Sequence, residues 1–400
     1  MLLFCTQRMI FKTHIHRAEM LARVREALAH SPVVTLLGPR QCGKTDMVRP
    51  LASSSENYFD LHAPADHARL EAHGFNILSR LEGIVVVDEA QRCPEIFPYL
   101  RVLADRPDKR TRFLLTGSAS PDIATAAAES LAGRVRLLNL GGFTAEEIGW
   151  DTWRELWLKG GYPRAFLHQI PANSMVWRND YLQQFIGRDL PALAEMKLSV
   201  PQVLRLLQLI AHCHGQNWNH SEAGRTIGAS YHTVARYIDL FHGAFITREL
   251  RPYFVNIGKR LRKAPKLYLR DSGLLHALLG AGSFTLLEQQ QRYGASWEGF
   301  CIEQIIGMTN ARDEECFTWS VQGANEVDFI LQRPSGLFGF EFKTSDAPKL
   351  TASMAQTAED IGLKHLFVVY PGDKDYLLAD HIEAVGFQNL NRCLEAVDQP

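Results

Sequence analysis

The chain has 400 residues, of which 46% are hydrophobic and 22% charged, and its formal net charge is −1. That is long enough for two or three domains, since single cores rarely grow past about 250–300 residues. It carries no overall charge that would draw it to nucleic acid or a membrane surface, so any basic surface must be local. Seven scattered cysteines without a C-x-x-C pair suit free thiols in a reducing cytoplasm better than a disulfide framework or a zinc site. The start, MLLFC, is interrupted by Gln7 and Arg8 too soon for a signal peptide. With no run of about 18 apolar residues, no membrane span is expected.

Residues 17–30 place Met20, Leu21, Val24 and Leu28 on one helical face. Ser31-Pro32 then leads into the apolar strand Val33–Leu37 and the loop Gly38-Pro39-Arg40-Gln41-Cys42-Gly43-Lys44-Thr45. A strand, a glycine-rich loop and a helix in that order are what a phosphate-binding loop needs, and a chance glycine turn accounts for less of the pattern. Gly38 and Gly43 allow backbone angles that a side chain would block. The loop N–H groups can then turn toward phosphate oxygens, at the positive end of the helix that follows. Lys44 would reach the β- and γ-phosphates, and the Thr45 hydroxyl would bind Mg²⁺.

Asn57–Asp60 forms a short second strand, and Gly83-Ile84-Val85-Val86-Val87-Asp88-Glu89-Ala90-Gln91 reads as a buried parallel strand ending in two carboxylates. They fall at the end of the strand where open α/β sheets hold ligands. Asp88 would hold Mg²⁺, directly or through water, and Glu89 would orient the attacking water. The next strand, Arg112–Ser118, offers Thr116 or Ser118 either to the γ-phosphate and water or as a cap of the following helix. Arg134 precedes a strand at Val135–Leu140. It is either a surface arginine or one that faces the nucleotide of a neighbouring subunit in a homo-oligomer.

Taken together, GPRQ-x-GKT, DEAQ, TGS, SLAGR and Gly142-Phe143-Thr144-Ala145-Glu146-Glu147 resemble a prokaryotic AAA+-type ATPase family whose members carry a C-terminal domain of unknown function. The resemblance covers nearly the whole chain. It implies that the loop, the DE pair and the TGS strand serve ATP. One departure is Asp46, where the family commonly has a second Thr or Ser. A carboxylate near the α-phosphate should repel nucleotide, although it complements a helix N-terminus, so affinity or turnover is expected to fall.

Residues 151–205 read as a helical lid interrupted by Gly160-Gly161-Tyr162-Pro163-Arg164. Residues 206–283 carry a helix at Leu204–His212, then a helix-turn-helix whose second helix starts at Tyr231, with Gly228 at the turn and Ser230 as N-cap. Strands at Ala244–Leu250 and Lys266–Leu269 would add a wing, and the whole resembles a winged helix. Between 217 and 270, Arg225, Arg236, Arg248, Arg251, Lys259, Arg260, Arg262, Lys263, Lys266 and Arg270 face only Glu222, Asp239 and Glu249. That excess is either a footprint for the DNA backbone or a solvated loop on a module that packs domains together. His212-Cys213-His214 lacks a second ligand pair at zinc spacing and reads as core or surface histidines.

In residues 284–400, an amphipathic helix at Trp297–Ile306 precedes strands at Asn325–Leu331 and Leu337–Lys343. Antiparallel pairing would bring Asp328 near Glu341 and Lys343, the last two on one sheet face. The arrangement resembles the PD-(D/E)xK nuclease core. The resemblance implies Glu298 as helix acid, Asp328 as strand acid, and Glu341 with Lys343 as the E-x-K pair, with Mg²⁺ on the three carboxylates and Lys343 catalytic. Gln356 is a weaker match on a following helix. Either the module cleaves, or it is a retained scaffold.

The expected architecture is thus α/β: an AAA+-type parallel-sheet core in residues 1–150, a lid at 151–205, a winged helix at 206–283 and a small nuclease-like domain at 284–400. The expected cofactors are ATP and Mg²⁺, the partner is DNA, and the location is cytoplasmic.

Overall fold

The apolar runs of the N-terminal third form one parallel sheet. Its strands are β1 (Val33–Gly38), β2 (Tyr58–Asp60), β3 (Gly83–Asp88), β4 (Thr111–Ser118) and β5 (Val135–Asn139), in the order β2-β3-β4-β1-β5. The computed structural model describes residues 15–107, 110–118, 130–253, 264–320 and 326–398. Every residue of β1 is buried, as expected of a central strand covered on both faces. The helix Ala18–His30 buries Met20, Leu21, Val24, Ala27 and Leu28 against one face, and the helices Pro64–Leu78 and Ile96–Ala104 cover the other. The sequence MLLFC lies outside the described residues.

Among the described residues, a second sheet of nine strands holds the C-terminal half, in the order β13-β14-β12-β11-β10-β9-β7-β8-β6. These are β6 (Gln216–Asn217), β7 (Thr247–Pro252), β8 (Lys266–Leu269), β9 (Cys316–Ser320), β10 (Glu326–Arg333), β11 (Gly336–Phe342), β12 (His365–Tyr370), β13 (Tyr376–Ala379) and β14 (Ile382–Gly386). The strands expected for the wing therefore continue into those expected for the last domain, through parallel pairing of β7 with β9. β7 begins at Thr247 rather than Ala244, because Ala244 caps the preceding helix and Phe245 turns with φ 61.

The helix-turn-helix forms as its capping residues dictate. Asn219 accepts from the Ser221 and Glu222 N–H groups at the start of His220–Ile227, Gly228 ends that helix with φ 71, and Ser230 accepts from Thr233 N–H to begin Tyr231–Gly243. The lid region does not form a layer of its own. Tyr162, Tyr181, Phe185 and Leu190 share a core with Leu206, Ile210, Val234 and Leu275. Trp153 and Trp157 instead join Trp297, Phe300 and Phe387. In this aromatic cluster Trp157 and Trp297 lie 5.0 Å apart between ring centroids. The helix Tyr293–Thr309 is buried around most of its circumference, which corrects the amphipathic pattern expected for it. It packs against the second sheet, the lid and the C-terminal helix Leu390–Asp398, so little of it is left to solvent.

His276 ties these layers together. Its Nδ1–H donates to the Leu158 carbonyl at 2.9 Å, and its Nε2 meets Ser296 Oγ at 2.7 Å, where Trp157 Nε1–H also donates. His214 Nδ1 accepts from Leu269 N–H at 3.0 Å. His212, by contrast, is exposed. Burial, aided by the neighbouring His276, pushes His214 down to about 3, and burial pushes His276 down to about 4. An unfolded histidine titrates near pH 6.5, so below that pH the unfolded chain takes up protons that the folded chain cannot. Stability should therefore fall as pH drops from 6.5 toward 4, by about 1.4 kcal/mol per pH unit per histidine. His276→Asn should flatten the dependence of unfolding free energy on pH in this window. An unchanged slope in urea titrations at several pH values would refute the assignment.

Candidate functional site

The loop between β1 and the next helix turns on two left-handed residues, Gln41 with φ 63 and Gly43 with φ 96. The helix itself is short, Lys44–Val48, because Pro50 converts its continuation into the 3-10 turn Arg49–Leu51. Anion binding here rests on loop N–H groups more than on a long helix dipole. The Lys44 side chain is buried, and its Nζ donates to the Gly38 and Pro39 carbonyls at 2.9 and 2.8 Å, inside the loop it closes. Cys42 is buried with Sγ 3.6 Å from the Leu140 carbonyl, Thr45 is half-buried and Asp46 is exposed. Arg40 is drawn off the loop by an ion pair with Asp189, which ends the π-helical turn Phe185–Asp189 of the lid region. A Cβ on Gly43 would lie 3.7 Å from Pro163 Cγ, so the lid helix Pro163–Leu167 also stands against the loop. Arg164 on that helix is exposed and makes no ion pair among the described residues.

Asp88 is the hub of the adjacent acidic pair. It ends β3 and is 2% exposed. Thr116 Oγ1, from β4, donates to Asp88 Oδ1, and Tyr58 OH, from β2, donates to Oδ2 at 3.0 Å. Thr116 Oγ1 also accepts from Glu89 N–H at 3.2 Å, so one hydroxyl holds the Asp88 carboxylate and the Glu89 backbone. Glu89 takes a left-handed backbone conformation, φ 60 and ψ 46. That costs a non-glycine residue about 1–3 kcal/mol, and such strain gathers at working sites. Its Oε2 accepts from Gln91 Nε2 at 2.5 Å, and its Oε1 lies 3.9 Å from His62 Nε2. The Ser118 side chain and the helix expected after it lie outside the described residues. Arg134 is held at the surface by a two-pronged pair with Asp105, at 2.6 and 2.8 Å.

Thr45 and Asp88 are the hard oxygen donors that Mg²⁺ prefers, and each Asp88 oxygen keeps lone pairs beyond its one hydrogen bond. The loop fits Mg²⁺ with nucleotide phosphates.

A second cluster gathers where β8, β10, β11 and the helix Tyr293–Thr309 meet. The register Phe329↔Phe340, continued by one pair, sets Asp328 opposite Glu341. Lys343 lies just past the end of β11, and its Nζ reaches Glu341 Oε2 at 2.7 Å. Asp328 Oδ2 accepts from Phe342 N–H at 2.9 Å. Glu298 accepts from Tyr268 OH and lies 3.4 Å from Lys266 Nζ, which in turn lies 2.5 Å from Glu326. Burial, and after it the Asp328 charge, raises the Glu298 and Glu341 carboxyls above their ordinary range. The expected metal set Glu298, Asp328 and Glu341 is thus brought into one neighbourhood but not assembled around a common point. Among the described residues no three acidic, histidine or cysteine side chains converge to hold a metal. Each carboxylate answers to a protein donor, so the residues as arranged do not fit a metal ion. Gln356 is turned outward, donating to Asp360 at 2.9 Å.

The basic window divides in the same way. Arg248, Lys266 and Arg270 are consumed by Glu303, Asp313, Glu298 and Glu326. Arg225 and Arg251 are exposed and Arg236 half-buried, while Lys259, Arg260, Arg262 and Lys263 lie outside the described residues. Reading the sequence missed Tyr58, His62, Asp189 and Tyr268, and counted Lys266 in the basic window rather than beside Glu298 and Glu326. Lys266 and Tyr268 share a strand face two residues apart, a signal that alternation offers once the strand is assigned. Tyr58 and Asp189 reach their partners only through tertiary pairing.

Residues 30–149 match the model of an AAA domain, residues 151–285 a domain of unknown function (DUF8612), and residues 293–390 a second one (DUF4143). The N-terminal region is accordingly an AAA-type nucleotide-binding ATPase domain. Among solved structures, the Walker-type ATPase PABY2304 of Pyrococcus abyssi aligns with 66% of this chain and 96% of its own, at 15% identity and a TM-score of 0.44. No described helix is long and apolar enough to cross a membrane. The uncharacterized proteins Mb2031c of Mycobacterium bovis and Rv2008c of Mycobacterium tuberculosis are each 41% identical over 372 residues, 93% of this chain and 83% of theirs. With that identity over nearly its full length, the chain belongs to the family of Rv2008c and Mb2031c.

Proposed function

We propose that this protein hydrolyses ATP with Mg²⁺, and that its nucleotide state controls a DNA-facing C-terminal half made of a winged helix (206–283) and a nuclease-like module (284–400). The observation that carries the ATPase reading is Thr116, whose single hydroxyl locks Asp88 and strained Glu89 beside the lysine loop. Loop N–H groups and Lys44 bind the β- and γ-phosphates. Glu89 orients water and takes up its proton, while Gln91 and His62 aim the carboxylate. Mg²⁺ held by Thr45 and Asp88 would neutralise charge on the phosphate oxygens. Arg40, freed from Asp189, can turn to the phosphates, which ties the lid to nucleotide. Asp46, exposed in the first turn, weakens nucleotide affinity by repulsion. Arg134 would serve a neighbouring copy only after leaving Asp105.

A second reading, a nucleotide switch with an inactive nuclease-like scaffold, is favoured by the protein donors that occupy Glu298, Asp328 and Glu341. Plasmid DNA with Mg²⁺ and ATP, alongside Lys44→Ala and Glu341→Ala, separates the two. The proposal expects an ATP-dependent gel shift that Lys44→Ala loses. Nicking absent in Glu341→Ala supports cleavage, and a shift without nicking supports the scaffold. No ATP-dependent effect on DNA would overturn both.

A further inference from the structure

The carboxylate cluster of the second sheet is served by two cations of different origin. Lys343 follows β11 and pairs with Glu341 at 2.7 Å. Lys266 comes from β8, in the preceding module, and its ammonium lies 2.5 Å from Glu326 and 3.4 Å from Glu298. Tyr268, two residues along on the same strand face, donates its hydroxyl to the same Glu298 carboxylate. β8 therefore directs two donors at the helix acid, and nothing from β10 or β11 does so. The Lys266 side chain is 11% exposed. An ammonium with so little water is retained only by paired carboxylates.

Gly215, Gln216, Asn217, Lys266, Glu298, Glu326 and Asp328 line a cleft that opens to solvent, so a small hydrated ion can reach the place where the ammonium sits. Without Lys266, Glu298, Glu326, Asp328 and Glu341 would face one another with Lys343 as their cation. That charge and those hard oxygens suit a divalent ion.

We propose that Lys266 is a tethered counter-ion that stands in for a divalent metal in this cluster and competes with it, holding the nuclease-like module in a metal-free form. The inference rests on the nuclease-like reading above. It accounts for the charge on Glu298 and Glu326, which is met from β8, while Asp328 accepts from Phe342 N–H and Glu341 pairs with Lys343. Metal entry requires the ammonium to leave Glu298 and Glu326, so withdrawal of the Lys266 side chain and metal binding are linked.

The test is a Mn²⁺ titration of the nucleotide-free full chain, followed by electron paramagnetic resonance of the free ion. Lys266→Gln should bind Mn²⁺ at least about tenfold more tightly than the unaltered protein. Lys266→Arg, which keeps the charge, should not gain. Lys266→Gln combined with Glu341→Gln should lose the gain, which assigns it to the cluster. Thermal unfolding guards against a folding defect: Lys266→Gln should melt lower without metal and recover with Mn²⁺. If the variant folds only with metal, its Mn²⁺-dependent circular dichroism carries the same result, and failure to fold with Mn²⁺ overturns the proposal. If Lys266→Gln binds no more tightly than a chain whose own Mn²⁺ binding Glu341→Gln abolishes, the counter-ion idea falls and the metal site stands. If none of the proteins binds Mn²⁺, the metal-site reading falls with it.

Discussion

Glu89→Gln is expected to lower ATP turnover by about 10²–10⁴-fold and to leave ATP binding in place. Glutamine keeps the shape of the side chain and cannot accept the proton of the attacking water. The loop, Lys44 and Asp88 are untouched, so KM should move little while kcat collapses, the signature of an interaction made in the transition state. The backbone at Glu89 is already left-handed and held by Thr116, so the substitution adds no new strain. Steady-state ATPase rates with a separate nucleotide-binding measurement decide the matter. A loss below tenfold would mean that another group positions the water.

Arg248→Met should cost about 3–5 kcal/mol of stability, the usual consequence of stranding a buried charge. Arg248 is 1% exposed on β7. Its guanidinium donates to both oxygens of Glu303 on the helix Tyr293–Thr309 and, at 2.5 Å, to Asp313, while Arg270 shares the Glu303 Oε2 at 3.2 Å. Burial pushes Glu303 upward, but Arg248 and Arg270 outweigh it and hold the carboxyl below its ordinary range. Methionine would fill much of the space and leave Glu303 and Asp313 without their shared partner. Chemical denaturation measures the loss, and a change under about 1 kcal/mol would show that Arg270 alone suffices.

What could be read from the sequence was what is local in the sequence. The phosphate loop, Asp88 and Glu89 sit in short unbroken motifs, and Gly228 and Ser230 mark a turn by their own chemistry. Asp328 and Glu341 were legible because a two-strand register follows from alternation. The helix Tyr293–Thr309 was misread because a face can look polar through Ser296, Gly299 and Gln304 and still be buried. The basic window is partly closed for a related reason: the acids that pair with its Arg248, Lys266 and Arg270, namely Glu298, Glu303, Asp313 and Glu326, lie beyond its end. Tyr58 and Asp189 are set by which strand or helix arrives beside the loop, and no motif near either residue records that.

The pairing of β7 with β9 also bears on the order in which a growing chain can finish folding. All five strands of the first sheet have been synthesised by Asn139, so that domain can close while the rest is still being made. β7 must wait, because Arg251 and Pro252 pair with Phe317 and Thr318. Until those residues leave the ribosome, β7 presents an open edge, the kind of surface on which nascent chains join one another. A chain ended between the two modules would keep that edge for good.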